Sequence, residues 1–269
     1  MNAPSNRPSL GKLIGMVHLR PLPGAPGKAD LDAVEAAARA DALALADGGA
    51  NALIIENLGD APYFPDRVPP ITIATMTRIA RHIAERASLP FGVNVLRNDG
   101  AAALAIAAAT GAAFIRVNVL TGARVSDQGI LQGRAHELLR LRHQLGAEGV
   151  RILADVDVKH SAPLGGMPLE QEVADTLHRA RADAIIVSGS GTGGSIDADV
   201  LRRVRAAAGA ATIYAGSGVT PETVPQLSRE VDGFIVGTWL KHDGDLGQPV
   251  DPARVRRLAE AVADAGSAR

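Results

Sequence analysis

The chain has 269 residues, 46% apolar and 21% charged, with a formal net charge of −1; this composition supplies a sizeable core and excludes a disordered chain. With no cysteine there is no disulfide, thiolate nucleophile or cysteine metal site, and with no basic excess nothing points to nucleic acid. Met1–Ser9 is polar and lacks the apolar segment of a secretory signal, and the longest apolar stretch, Ala101–Ile115, is alanine-rich and too short to span a bilayer. A cytoplasmic protein without a transmembrane segment is expected, with peripheral membrane contact left open.

The predicted elements alternate along the chain. Lys12–His18 reads as a first strand, followed by the proline-stiffened loop Leu19–Gly27 and a helix over Leu31–Asp47 that Gly48 and Gly49 end. Ala52–Glu56 is a second strand, and a long loop, Asn57–Pro70, leaves its C-terminal end. Next come helix Ile71–Ser88, strand Pro90–Leu96, helix Asp99–Thr110, strand Ala113–Val119, a second long loop Leu120–Ile130 and helix Leu131–Leu145. Strand Val150–Val158 leads through loop His160–Met167 to a helix that Pro168 starts and Glu170–Arg181 continues. Strands Ala184–Ser188, Ala211–Ala215 and Gly233–Val236 then alternate with helices Asp197–Ala208, Pro221–Leu227 and Pro252–Ala265. Strict alternation over this length predicts the α/β class: a single-domain (β/α)8 TIM barrel spanning 1–269. No Gly-x-Gly-x-x-Gly follows the first strand, so a dinucleotide fold has no support.

The last three strand ends are rich in glycine and hydroxyl residues. Ser188 to Gly194 reads Ser-Gly-Ser-Gly-Thr-Gly-Gly, Gly216-Ser217-Gly218 follows Ala215, and Gly237-Thr238 follows Val236. Such turns expose backbone N–H groups to an anion, and barrels of this kind hold phosphate after their late strands. The expectation is a phosphate-binding cup after strands 6–8, built from Ser188, Gly191, Thr192, Gly193, Gly194, Gly216, Ser217, Gly218, Gly237 and Thr238. A side chain at Gly218 is expected to block the phosphate and spare the fold.

Reactive groups of such barrels sit at the C-terminal strand ends. Those ends carry His18, Glu56, Asn94, Arg116, Asn118, Asp155, Asp157 and Lys159. Asp155, Asp157 and Lys159 recur with period two, so in an extended strand they project to one side, as do Arg116 and Asn118. Ionisable groups in an otherwise apolar strand are costly to bury unless paired or used, so Asp155, Asp157, Lys159, Glu56 and His18 are the catalytic candidates. Asn94, Arg116 and Asn118 are candidates for binding substrate. Plainer uses exist: a histidine satisfied within the fold, an arginine paired with a barrel acid, an asparagine tying down a loop. A carboxylate could act as general base and Lys159 or His18 as acid or electrostatic stabiliser, whereas a Schiff base at Lys159 is disfavoured if the two aspartates keep it charged. No cofactor is required by this set, although carboxylates and amides together could hold Mg²⁺. Ser190 and Ser217 lack a nucleophile-elbow pattern, and no zinc-type histidine spacing appears.

Several stretches together resemble the BtpA/SgcQ family: Gly15-Met16-Val17-His18-Leu19 with Pro21-Leu22-Pro23-Gly24, Ser126-Asp127-Gln128-Gly129-Ile130, and Ala154-Asp155-Val156-Asp157-Val158-Lys159-His160, followed by Ser188–Gly193, Ala215–Thr220 and Gly237–Lys241. The resemblance implies a barrel of the ribulose-phosphate-binding type. It also implies two functional settings, photosystem I biogenesis at the thylakoid membrane and sugar-utilisation gene sets. A nucleoside-triphosphatase label attached to the family fits poorly, because the chain lacks Gly-x-x-x-x-Gly-Lys-[Ser/Thr]. Two readings follow. One is an enzyme acting on a phosphorylated small molecule, a sugar phosphate or nucleoside monophosphate, by acid–base lyase, isomerase or hydrolase chemistry. The other is a non-catalytic biogenesis factor. In both a homo-oligomer is expected.

Overall fold

The structure, a computed structural model, describes residues 7–189 and 194–267. The strands are β1 (Leu13–His18), β2 (Ala52–Glu56), β3 (Phe91–Asn94), β4 (Phe114–Val117), β5 (Ala123–Ser126), β6 (Gly129–Gln132), β7 (Arg151–Val156), β8 (Ser161–Pro163), β9 (Ala184–Val187), β10 (Ile213–Ala215) and β11 (Gly233–Val236). Among the described residues, β1, β2, β3, β4, β7, β9, β10 and β11 close into a barrel in that lateral order, every neighbouring pair parallel. The helices are α1 (Leu31–Asp47), α2 (Pro70–Ala84), α3 (Gly100–Thr110), α4 (Ala135–Gln144), α5 (Leu169–Ala174), α6 (Ala198–Ala208), α7 (Val224–Leu227) and α8 (Pro252–Ser267). They alternate with the barrel strands, as a parallel sheet requires.

Local chemistry fixes the helix ends. Asp30, Asp99 and Asp197 each accept a hydrogen bond from a first-turn N–H of α1, α3 and α6, and Gly111 closes α3 in the left-handed region. Asp99 also accepts from Val68 N at 2.9 Å, so one carboxylate both caps α3 and ties down the loop that enters α2.

Side-chain alternation divides the core in two. Outward residues such as Val17, Leu53, Ile55, Ile115, Ile152, Val156, Ile185 and Val187 join the helix-facing layer. Inward residues Ile14, Met16, Ile54, Phe114, Leu153, Ile186, Tyr214 and Ile235 fill the lower barrel. The same inward rows end in His18, Glu56, Asn94 and Arg116, which are lateral partners across β1, β2, β3 and β4.

The structure departs from the sequence expectation in two places. The stretch 120–130 is not an irregular loop: β5 and β6 form an antiparallel hairpin about Asp127 and Gln128, and β8 adds to its other edge. The alternating Ala123-Arg124-Val125-Ser126 pattern favours a strand, with buried Arg124 on one face and exposed Val125 on the other; α4 consequently starts at Ala135 rather than Leu131. The helix expected over 170–181 ends as α5 at Ala174 and continues as a π turn, Asp175–Arg179, closed by Ala180 N donating to Asp175 O at 2.8 Å.

A buried ion pair joins the last strand's exit to α1. Lys241 Nζ lies 2.5 Å from Asp41 Oδ2, and Asp41 Oδ1 accepts from Val250 N at 2.8 Å. Asp41→Asn leaves that backbone acceptor but strands a buried ammonium. The expected cost is about 3 kcal/mol, read as a lower denaturant midpoint at unchanged slope.

Candidate active site

The barrel mouth opens into a cavity of about 600 Å³ whose lining includes His18, Glu56, Arg97, Arg116, Asn118, Lys159, Gly216–Thr220 and Gly237–Trp239. Leu58 and Tyr63 from the loop after β2, and Asp127 and Gln128 from the hairpin tip, complete its rim. Both long connections therefore stand on the same face as the glycine turns. Tyr63 is held by a 2.8 Å hydrogen bond from its hydroxyl to Leu58 O.

Asp155 and Arg116 form a buried pair. Arg116 Nε and Nη2 donate to Asp155 at 2.9 and 2.8 Å, Asn118 Nδ2 donates at 3.0 Å, and Ser188 Oγ stands 3.4 Å from the other oxygen. Four donors occupy this carboxylate, so its geometry is that of an anchor for Arg116. Burial pulls the Arg116 guanidinium down, but the charge and hydrogen bonds of Asp155 outweigh it and hold the group firmly protonated. Asn94 Nδ2 donates to Arg116 O at 3.0 Å and faces Asn118 Oδ1 at 3.4 Å, which places it in the same network, below the cavity.

Glu56 and Lys159 are unlike that pair. Among the described residues neither the Glu56 carboxyl nor Lys159 Nζ makes a hydrogen bond, and Lys159 has no ion-pair partner. Burial pushes the Glu56 carboxyl up, against the pull of Arg116 and Lys159. Burial and then Arg116 lower the Lys159 amine, against the pull of Glu56 and Asp155. Both neighbouring aspartates are engaged by arginines, and burial is the largest influence on the Lys159 amine. His18 lies 3.8 Å from Glu56, but burial, then Lys241, Lys159 and Arg116, lower it from 6.5 to about 3, so it stands there as a neutral imidazole. Its Nδ1 and Asn94 Oδ1 are buried without a partner among the described residues.

Asp157 does not line the cavity that Lys159 shares with Glu56; it borders a second cavity beside it, with Lys159, Ser188, Gly189, Ser195 and Asp197. The strand ends at Val156, Asp157 takes φ +48°, and the alternation is broken there. Its half-exposed carboxylate instead accepts from Arg124 Nη2 at 2.9 Å. Arg124 is buried, donates to Ser161 Oγ at 2.7 Å and pairs with Glu172 at 3.2 Å, so this network pins the hairpin to α5. Of the proposed carboxylates, Glu56 faces the cavity while Asp155 and Asp157 are held elsewhere. Among the described residues no group of three or more His, Asp or Glu side chains could hold a metal ion.

The glycine turns pack against one another as well as lining the cavity. Gly218 has φ +62°, and a Cβ there would stand 2.7 Å from Gly194 O and from Ser195 Cα, so a side chain at Gly218 would strain the fold, contrary to expectation. A Cβ on Gly237 would meet the His18 ring at 2.5 Å; that glycine makes room for the imidazole. Ser217 Oγ accepts from Gly189 N, linking two turns. The N–H groups of Ser217, Gly218 and Val219 find no acceptor among the described residues, and all three residues line the cavity. Thr238 stands beside them on the wall, whereas Ser188 is turned toward Asp155. Gly191, Thr192 and Gly193 lie outside the described residues.

Sequence reasoning missed Arg97, Tyr63, Asp127, Gln128 and His160 on the cavity wall. Arg97 Nη2 donates to Lys159 O at 2.7 Å and so fixes the backbone that carries the lysine. Its position three residues past Asn94, still at a strand's C-terminal exit, was the available signal.

Two outcomes follow from this geometry. Asp155→Asn leaves a buried guanidinium without its counter-charge and is expected to cost about 3–5 kcal/mol, whereas the half-exposed Asp157→Asn costs about 1 kcal/mol or less; urea unfolding of the two variants checks the order. Between pH 6.5 and about 3 the unfolded chain protonates His18 while the folded one does not, so the folded state loses stability as pH falls through that window. His18→Gln should flatten the acid limb of a melting-temperature profile below pH 6.5; an unchanged limb would contradict the neutral assignment.

The sequence also places the chain among known proteins. It is 45% identical over 253 residues to "Photosystem I biogenesis protein BtpA" of Synechocystis sp., covering 94% of this chain and 88% of that one. It is 35% identical over 253 residues to "Putative sgc region protein SgcQ" of Escherichia coli, covering 93% of each. In structure it is similar to thiamine phosphate pyrophosphorylase from Pyrococcus furiosus, with a TM-score of 0.58 at 13% identity over 95% of this chain and 96% of that one, a likeness of fold. The BtpA family's sequence profile matches residues 10–264, nearly the whole chain, and the protein belongs to the BtpA family.

Proposed function

We propose that the protein is an enzyme acting on a phosphorylated small molecule, a sugar phosphate or nucleoside monophosphate, by acid–base chemistry of the lyase, isomerase or hydrolase kind. One observation carries this reading: a single cavity brings three backbone N–H groups at 217–219 together with the Glu56 carboxyl and the Lys159 amine, none of them hydrogen-bonded among the described residues. The N–H groups suit a phosphate, since a turn with a left-handed glycine points successive amides at an anion. Arg97, Arg116 and Lys159 add positive charge on the same wall. Glu56, raised by burial, is the acid–base group, one of the catalytic candidates that the sequence offered beside Asp155, Asp157, Lys159 and His18. The reaction as read needs no cofactor. The phosphorylated compound in the name of the structurally similar pyrophosphorylase supports the reading by analogy of fold alone.

A second reading, a non-catalytic biogenesis factor, is favoured by the name of the Synechocystis relative. It would work from the outside of the barrel, where Val125, Ile130 and Leu164 are exposed around the hairpin sheet. No described helix is long and apolar enough to cross a membrane.

Titration with inorganic phosphate, followed by amide NMR, is expected to shift Ser217, Gly218 and Val219 before any other turn. Shifts confined to exposed arginines on the helices would sink the phosphate site. With a substrate in hand, Glu56→Gln should lower kcat by about 100-fold or more while leaving neutral-pH stability unchanged or higher. Because burial raises this carboxyl, its ionisation above the unfolded pKa costs the folded state stability, and the amide has no such cost.

A further inference from the structure

We propose that Lys159 forms an imine with the carbonyl carbon of the substrate, with Glu56 carrying the proton in that step. The inference rests on the reading of the cavity as the site of a phosphorylated small molecule, and it narrows the substrate to a phosphorylated aldehyde or ketone.

A lysine that works as a nucleophile has to reach the substrate, be free of a counter-ion and present a neutral amine. Lys159 lines the cavity, and its backbone is fixed through its carbonyl by Arg97 at 2.7 Å. The acids nearest in sequence are both engaged, Asp155 by Arg116 at 2.8 Å and Asp157 by Arg124 at 2.9 Å. Two arginines thus draw off the charges that would otherwise hold the ammonium form. Burial and the Arg116 charge shift the amine in the same direction. The chain's other three lysines have different settings: Lys241 is locked to Asp41 inside the fold, and Lys12 and Lys28 are exposed.

Glu56 supplies the complementary group. It faces the same cavity, no described residue donates to its carboxyl, and burial pushes that carboxyl above its usual range. In the step, the Lys159 nitrogen lone pair forms the C–N bond, and the carbonyl π electrons move to oxygen, which takes the Glu56 proton. The nitrogen then returns a proton to the Glu56 carboxylate, giving a neutral carbinolamine. Glu56 next protonates the carbinolamine hydroxyl; the C–O bond breaks, water leaves, and the nitrogen lone pair closes the protonated imine. Amine, carbonyl and the Glu56 proton become protonated imine, water and the Glu56 carboxylate, with no oxidant, reductant or metal in the balance. An imine at this position withdraws electrons from the adjacent carbon, which is how such chemistry serves lyases and isomerases.

The test uses pyridoxal 5′-phosphate as a reagent, because it carries both an aldehyde and a phosphate, with pyridoxal as its phosphate-free counterpart. The full chain is treated at neutral pH, reduced with borohydride and mapped by peptide mass. The expected result is an adduct on Lys159 ahead of exposed Lys12 and Lys28, slowed by inorganic phosphate, and formed about 100-fold more slowly in Glu56→Gln. Lys159→Arg should lose the adduct at that position while the phosphate-induced amide shifts persist. Equal marking of Lys159 by pyridoxal and its phosphate, without competition by phosphate, would keep the imine and discard the phosphate site. Phosphate-induced shifts at 217–219 with no preference for Lys159 over Lys12 and Lys28 would overturn the imine and leave the phosphate site standing.

Discussion

A closed barrel gives each strand only one inward residue in two, and that constraint organises this protein. Below the mouth the inward places hold Ile14, Ile54, Phe114, Ile186 and Ile235, which pack into a dry interior. Polar residues can enter only at the last inward place of each strand, where the barrel opens. Parallel pairing in register then brings His18, Glu56, Asn94 and Arg116 into one lateral row, although up to ninety-eight positions separate them in the chain, 116 minus 18.

Charges brought together in that row must be paired or must change their protonation. Arg116 and Asp155 take the first course, with Asn118 and Ser188 completing the acceptor sites of the carboxylate. Glu56 and Lys159 make no hydrogen bond through their charged groups among the described residues, and burial shifts each in the direction of its neutral form. Two titratable groups tuned in this way and facing the same space are suited to proton transfer, whereas a fully bonded pair is suited to holding shape. The same division explains Asp157, which leaves the barrel and joins Arg124, Ser161 and Glu172 in fastening the hairpin beside the mouth.

The glycines both pack the turns together and line the cavity. Gly237 yields space to the His18 ring, and Gly218 lets one turn lie against the backbone of Gly194 and Ser195. Neither position tolerates a side chain on steric grounds alone. The surface they leave is the one that presents the amides of 217–219 to the cavity. Close contact among turns is therefore what shapes this wall of the cavity, and a substitution at Gly218 would disturb the fold together with it.

Much of this was legible in the sequence, because it depends on local rules. Strand–helix alternation, apolar periodicity and the glycine-rich strand ends predict the barrel and the face that carries the site, and inward parity at the strand ends selects His18, Glu56, Arg116 and Asp155. Partner choice was not legible. Extrapolating period two past Val156 put Asp157 in the cavity with Glu56 and Lys159, whereas a left-handed residue takes it out of that cavity, to a second one that Lys159 also borders. The hairpin was missed because its two four-residue strands are stable only against each other and β8. Arg97, Asp127 and Gln128 reach the cavity from loops whose course no local pattern specifies. Which carboxylate is hydrogen-bonded depends on which arginine arrives beside it, and that is settled by long-range packing; the sequence determined the barrel and the residue types at its mouth, and the tertiary structure alone decided that Asp155 anchors Arg116 while Glu56 and Lys159 face the cavity with no hydrogen bond to their charged groups among the described residues.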